Sequence, residues 1–309
     1  LAGGSKQKSR LPVNNGMDAF TIKDLENLSG IKAHTIRIWE QRYSFLNPQR
    51  TETNIRSYSN KELKTVLNIA LLTKYGYRIS QIDRMTPDEI QEKILALTQV
   101  EARQERLINE LIHSMVDLRM EAFESLLNEA IREKGIDRVI PQLIFPFLER
   151  VGILWMTNHI NPAQEHLVTN IIRQKLIAGI EAATHPLQQY KKAILFLPEG
   201  EYHELGLLFM HYLLKSRGIQ VWYLGANVPL KDLAYVAKLK RPDFLFAHLT
   251  AVAAHFNPEK FLLNLHHRLP DMPILLSGNF TRHYRKTIPP NIRFAHSLAE
   301  VMDQIASFG

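Results

Sequence analysis

The sequence predicts a multidomain chain of α and α/β type: a small basic helical head, a four-helix bundle and an open parallel sheet. Three observations carry that reading. Net charge is +7 over 309 residues, and residues 1–90 hold 14 Lys/Arg against 9 Asp/Glu, so +5 sits in the first third. The middle of the chain repeats apolar residues at three-to-four spacing, the mark of helices with one buried stripe. The last third alternates short apolar runs with helical stretches, which is how βαβ units read.

Composition narrows the classes. The chain has no cysteine, which excludes disulfides, thiolate metal sites and cysteine nucleophiles and fits a cytoplasmic protein. No apolar run approaches the roughly 18–20 residues needed to cross a bilayer, and no secretory pattern opens the chain, so no membrane partner is expected. The basic first third points to a polyanion, most simply double-stranded DNA. No Ser-His-Asp arrangement, P-loop or HExxH motif appears, so no enzyme activity is expected.

Taken in order, residues 1–16 read as a disordered basic tail. Over residues 17–88 a DNA-binding domain is expected. Thr21 caps a helix through Leu28, with Ile22, Leu25 and Leu28 on one face. Ser29-Gly30 turns the chain. Lys32–Tyr43 gives a second helix with Ile36 and Trp39 inward and His34, Thr35, Arg37 and Arg42 outward. That is the helix-turn-helix arrangement, although a plain helical hairpin with a solvated basic face gives the same pattern. Residues 46–59 are turn-rich, with Ile55 and Tyr58 as apolar points. They read as a small wing bearing Arg50, Asn54 and Arg56 near phosphates. Asn60 is expected to cap a third helix, Lys61–Tyr75. Arg37, Arg42, Arg50 and Arg56 are the candidates for phosphate contact, with His34, Thr35 and Tyr43 at the groove. Asn54 and Tyr58 complete the candidate DNA-binding set.

These motifs resemble the winged helix-turn-helix of MerR-family transcription regulators over residues 19–88. The resemblance rests on W-x-x-R-Y (Trp39, Arg42, Tyr43), P-Q-R-T (Pro48 to Thr51), R-x-Y-S (Arg56 to Ser59) and the closing run Gly76–Ile82. It implies sequence-specific binding to an operator by a homodimer or tetramer. In that family a long helix commonly follows and dimerises. Here the helix from Pro87 toward Thr98 is short, so dimerisation is expected elsewhere.

Residues 89–187 read as a helical bundle. Glu101–Lys134 is one long amphipathic stretch, with Leu107, Leu111, Met115 and Leu118 as its stripe. Helices follow around Val139–Trp155 and Pro162–Ala183. Trp155 and, ten residues later, Glu165-His166 read alone as packing and surface.

Residues 188–309 read as a Rossmann-like or flavodoxin-like sheet. Strands are expected at Ala193–Leu197, Gln220–Leu224, Phe244–Leu249, Ile274–Ser277 and Arg293–Ala295. Helices are expected at Glu204–Lys215, Leu230–Leu239, Pro258–His267 and Leu298–Ser307. The turn after the first strand holds Glu201, His203 and Gly206. There an imidazole can ligate a transition metal while a carboxylate holds its other N–H, and glycine lets a bulky group lie close. A loop histidine that merely caps a helix fits the same residues. No GxGxxG follows the first strand, which argues against a dinucleotide.

W-x9-E-H in a bundle before ExHxxG resembles the cobalamin-binding regulators of the light-sensing CarH type. The sheet resembles the cobalamin domain of methionine synthase and certain mutases. The resemblance implies cobalamin, most simply adenosylcobalamin, with His203 as lower axial cobalt ligand and Glu201 behind it. It further implies Trp155, Glu165 and His166 above the corrin, and a nucleotide tail running beside the third and fourth strands, near Gly206, Thr250 and Gly278.

The chain departs from that pattern in three places. Ala247-His248-Leu249-Thr250 stands where the family has serine and a small hydroxyl residue, leaving Thr250 as the nearby hydroxyl. Ser277-Gly278-Asn279 keeps one of two paired glycines. Met156 follows Trp155 where the light-sensing branch has histidine, so a light-driven bis-histidine product is not expected. The expected function is a DNA-binding transcription regulator whose sensor binds cobalamin and controls oligomerisation and DNA affinity. The alternative is the same regulator with a cofactor-free sensor serving as an assembly module. A cobalamin-dependent methyl-transfer protein is the third reading.

Overall fold

The computed structural model describes residues 20–50, 54–156, 160–185, 191–250 and 256–308, the side chains of residues 155 and 156 excepted. The tail expected over residues 1–16 and Thr51 of the wing lie outside the described residues. The chain divides into two compact units, one through Val168 and one from Thr169.

The first unit opens on α1 (Ile22–Ser29), capped by Thr21 in a reciprocal box with Asp24 and ended by Gly30 at φ 75°. α2 (Ala33–Arg42) follows; Leu25, Leu28 and Ile36 are buried, and Trp39 is buried in a cluster with Ile69, Leu72 and Ile82. The wing is a two-residue ladder, β1 (Gln49–Arg50) against β2 (Arg56–Ser57), antiparallel. α3 (Asn60–Lys74) is capped by Ser59, not by the expected Asn60: the Ser59 hydroxyl meets the Glu62 N–H and the Glu62 carboxylate returns to the Ser59 N–H. α4 (Ile79–Ile82) and α5 (Pro87–Leu95) complete the head.

The long amphipathic stretch is two helices, α6 (Val100–Val116) and α7 (Met120–Lys134). Leu118 is therefore not part of the core stripe. It sits in the turn between them at φ 54° and is 55% exposed, while Ala102 and Ile108 are buried on α6. α8 (Ile136–Val139) runs through a π turn (Ile140–Ile144) into α9 (Phe145–Met156). Pro141 has no N–H to donate, which explains a widened turn there without a break. Phe123 and Phe147, both fully buried, meet at 5.4 Å between ring centres and join α7 to α9. α3 packs on α6, and Lys74 pairs with Glu105 at 2.9 Å, so head and bundle share one unit. α10 (Pro162–Ala182) follows.

The second unit is a five-stranded parallel sheet in the order β4-β3-β5-β6-β7. Its strands are β3 (Lys192–Pro198), β4 (Gln220–Val228), β5 (Phe244–His248), β6 (Ile274–Ser277) and β7 (Ile292–Phe294). The connecting helices are α11 (Leu205–Lys215), α12 (Leu230–Lys240), α13 (Pro258–Arg268), a short α14 (Asn279–His283) and α15 (Leu298–Ser307). Ala193 to Leu197 of β3 and Phe244 to Ala247 of β5 are essentially inaccessible, as strands covered on both faces must be. This is the flavodoxin-like order, whose direction reverses between β3 and β5. Ligands bind at the carboxyl ends of the strands beside such a reversal.

Candidate functional site

The turn leaving β3 at that reversal is built around a buried acid. Glu201 is 1% exposed, and its Oε1 accepts the His203 backbone N–H at 2.9 Å and lies 2.6 Å from His203 Nδ1. The end of β4 staples the turn: Asn227 donates its backbone N–H to the Glu201 carbonyl at 3.2 Å, and its Oδ1 accepts from Gly200 N at 3.0 Å. An ionised carboxylate can only accept, so Nδ1 donates to it, and in the neutral imidazole Nε2 then carries the lone pair. The His203 side chain is 59% exposed. A rigid imidazole with its lone pair set by a carboxylate is a prepared metal ligand. Among the described residues no group of three or more His, Asp or Glu could hold a metal ion.

Gly206 lies in the first turn of α11. A Cβ there would stand 2.4 Å from Cδ2 of His248, at the end of β5. The bulky group that Gly206 accommodates is thus the chain's own imidazole. His248 Nδ1 meets the Ser277 hydroxyl at 2.9 Å, from the register partner on β6. Burial holds the His248 pKa below its ordinary value, with the Glu201 charge opposing. Gly278, at φ 95°, would bring a Cβ to 2.4 Å from the Leu249 carbonyl oxygen, so that space is filled by backbone. Thr250 is exposed, and the buried hydroxyls near this end of the sheet include those of Ser277 and Thr281. The residues present fit a metal macrocycle held through His203, and His248 occupies the slot beside it.

Three further residues enter here that no sequence motif singles out. Glu204 accepts from the Tyr223 hydroxyl at 3.0 Å and pairs with Arg173 of α10 at 3.2 Å. Tyr223 stacks on His211 at 5.2 Å, and burial with the Glu204 charge pushes its phenol pKa upward. The turn bearing His203 is thereby tied to both α10 and β4. Only the fold joins Arg173 to Glu204. Of the residues expected above the corrin, Trp155 sits in the last turn of α9, and its side chain lies outside the described residues. Glu165 and His166 open α10, with His166 Nδ1 3.3 Å from the Glu165 carboxylate.

On the head, His34, Arg37, Arg42 and Arg50 are exposed, and Thr35 and Tyr43 are half-buried. His34 Nε2 and the Thr35 hydroxyl lie 3.3 Å apart on α2, and Arg50 Nη1 donates to Asn54 at 2.8 Å across the wing. Tyr43 stacks on Phe45 at 5.6 Å. Tyr58 departs from its expected role. It is fully buried, its hydroxyl bonds to Glu40 and its backbone pairs with Phe20, so its side chain cannot reach a groove. Arg56 is also spent inward: Nε donates to Glu40 at 2.7 Å, which raises its pKa. Glu40 on α2 thus ties the wing to the second helix.

Comparison with known proteins bears on both regions. Residues 20–89 match the MerR HTH family regulatory protein family, and residues 107–178 match the B12 binding domain family. The chain is 27% identical to the HTH-type transcriptional repressor CarH of Myxococcus xanthus, over 86% of this chain and 91% of that protein. It is 29% identical to the repressor CarA of the same organism, over 86% of this chain and 89% of CarA. Among solved structures, the Methanosarcina barkeri monomethylamine corrinoid protein aligns with 66% of this chain and 99% of its own, at TM-score 0.49 and 16% identity.

Proposed function

From a chain that carries a MerR helix-turn-helix and a B12 binding domain and is homologous to the CarH and CarA repressors, we infer a DNA-binding transcription regulator that binds cobalamin. The observation that carries the cofactor half of this reading is the pair Glu201–His203 at the strand reversal, with Nδ1 held at 2.6 Å.

His203 would hold the cobalt through Nε2. Glu201 fixes the tautomer and ring plane, and raises the basicity of the ligating nitrogen. Cobalamin, most simply adenosylcobalamin, would supply a reactive cobalt centre there, so the sensor would have a loaded and an empty state. Trp155, Glu165 and His166 are proposed to lie on the upper side. Gly206 and Thr250 are proposed for the tail, whose entry requires His248 to leave its place beside Gly206, whereas the space at Gly278 is taken by the Leu249 backbone. Tying Glu204 to Arg173 connects the liganding turn to α10. A ligand alters DNA affinity only by favouring one assembly over another, and oligomer change is the proposed route.

DNA recognition is assigned to the head, with Arg37, Arg42 and Arg50 on phosphates and His34, Thr35 and Tyr43 toward the groove. The reader of a two-fold operator is at least a homodimer. No catalytic residue is assigned, and the proposed compartment is the cytoplasm. No helix among the described residues is long and apolar enough to cross a membrane.

His248 in the slot favours the second reading, a cofactor-free assembly module. The test is the visible spectrum of full chain mixed with adenosylcobalamin and desalted in the dark. Retained corrin absorbance supports a sensor; a colourless protein supports the module.

A further inference from the structure

A cleft of about 380 Å³ opens in the first unit between the head and the bundle. α3 and α5 supply one wall and α6 and α7 the other, so anything bound there touches both. Arg106, Glu110 and His113 line it from α6, Lys64 from α3 and Arg119 from the start of α7, and Leu71 and Ile94 are its apolar lining.

Its charges do not balance. Three cations meet one carboxylate. Arg106 lies 3.8 Å from Glu110, too far for a hydrogen bond, and Arg119 pairs outward with Asp117 at 3.4 Å. Two nitrogens, Arg106 Nε and His113 Nε2, are buried without a hydrogen-bond partner. His113 is 7% exposed. Burial first, and then the charges of Lys64 and Arg119, lower its pKa to about 4. Burial likewise raises the pKa of Glu110. Buried polar nitrogens in folded proteins almost always have acceptors, so these two mark the polar side of the cleft. The volume is that of a small-molecule site, apolar on one side with a few converging polar groups.

We propose that this cleft is a second ligand site, which binds a small phosphate monoester with its phosphate on Lys64, Arg106 and His113 and its apolar body against Leu71 and Ile94. Arginine and lysine donors meet phosphate oxygens with charge-assisted hydrogen bonds. A ligand there bridges α3 of the DNA-binding head to α6 of the bundle and stiffens the junction, independently of the site at His203.

Phenyl phosphate titrated calorimetrically into the full chain tests this, with Lys64→Gln and Arg106→Gln as variants. Lys64 is exposed, so its replacement leaves the core untouched. Wild type should bind one equivalent, and each variant should bind about ten-fold more weakly or worse, the scale of one charged hydrogen bond. Phenol, lacking the phosphate, should not bind measurably. No saturable binding to wild type overturns the proposal, as does equal affinity in the Lys64→Gln protein.

Discussion

His203 and Glu201 are proposed to act as one unit, in which an imidazole nitrogen ligates and the carboxylate, 2.6 Å from Nδ1, decides which nitrogen that is. Replacing Glu201 with Gln leaves a neutral acceptor of similar shape, so cobalamin should still be retained but about 10-fold or more weakly, as a loss of the partner behind a ligand typically does. A spectroscopic titration of the variant checks this. On the head, the structure separates two arginines that the sequence treats alike. Arg42→Ala should weaken binding to many DNA sequences together and reduce the salt slope by about one counterion, read from fluorescence anisotropy at several salt concentrations. Arg56→Ala should instead destabilise the first unit by about 1–3 kcal/mol, because Glu40, whose side chain is 9% exposed, loses a charged partner. Chemical denaturation distinguishes them. Equal stability of the two variants would mean that Arg56 faces DNA after all.

Between elements, α11 approaches β5 closely because residue 206 has no side chain. Gly206→Ala should push the His248 ring out of its place and lower stability, while Gly206→Ala with His248→Ala should recover much of that loss. Such non-additivity is expected for residues in direct contact, and a double-mutant cycle by urea unfolding measures it. The strands and helices of the sheet were legible because short apolar runs and turn residues alternate cleanly, and the β3 turn stood out by chemistry. The space around that turn was not legible. Gly206 read as room for a ligand, yet what fills it is His248, 42 positions later in the chain, brought there by strand order. Tyr58 failed as a DNA-binding candidate for a related reason, although it is an apolar point of the wing as expected: its backbone pairs with Phe20 and its hydroxyl with Glu40. The break in the α6–α7 stretch was missed because Asp117 to Arg119 carries no glycine or proline to mark it.

For the whole molecule, the uneven charge and the buried histidines set the response to solution conditions. His113 and His211 both have folded pKa values near 4 against an ordinary 6.5, from burial. The unfolded chain therefore binds more protons between those limits, so stability should fall as pH drops from about 6.5 toward 4. Urea midpoints at pH 5 and pH 7 should show the loss, and His113→Gln should reduce it. On DNA, sedimentation of the full chain should give an even number of protomers, whereas a monomer on a half-site would remove the two-fold reading. Everything proposed for the sensor rests on His203 holding cobalt. Wild type and His203→Ala, each mixed with adenosylcobalamin in the dark and passed through gel filtration, decide it by absorbance. Wild type should retain the corrin with the spectrum of imidazole-ligated cobalt, and His203→Ala should lose both the spectrum and most of the cofactor while remaining folded by circular dichroism. Equal retention by the two proteins, or none by either, would rule His203 out as the cobalt ligand.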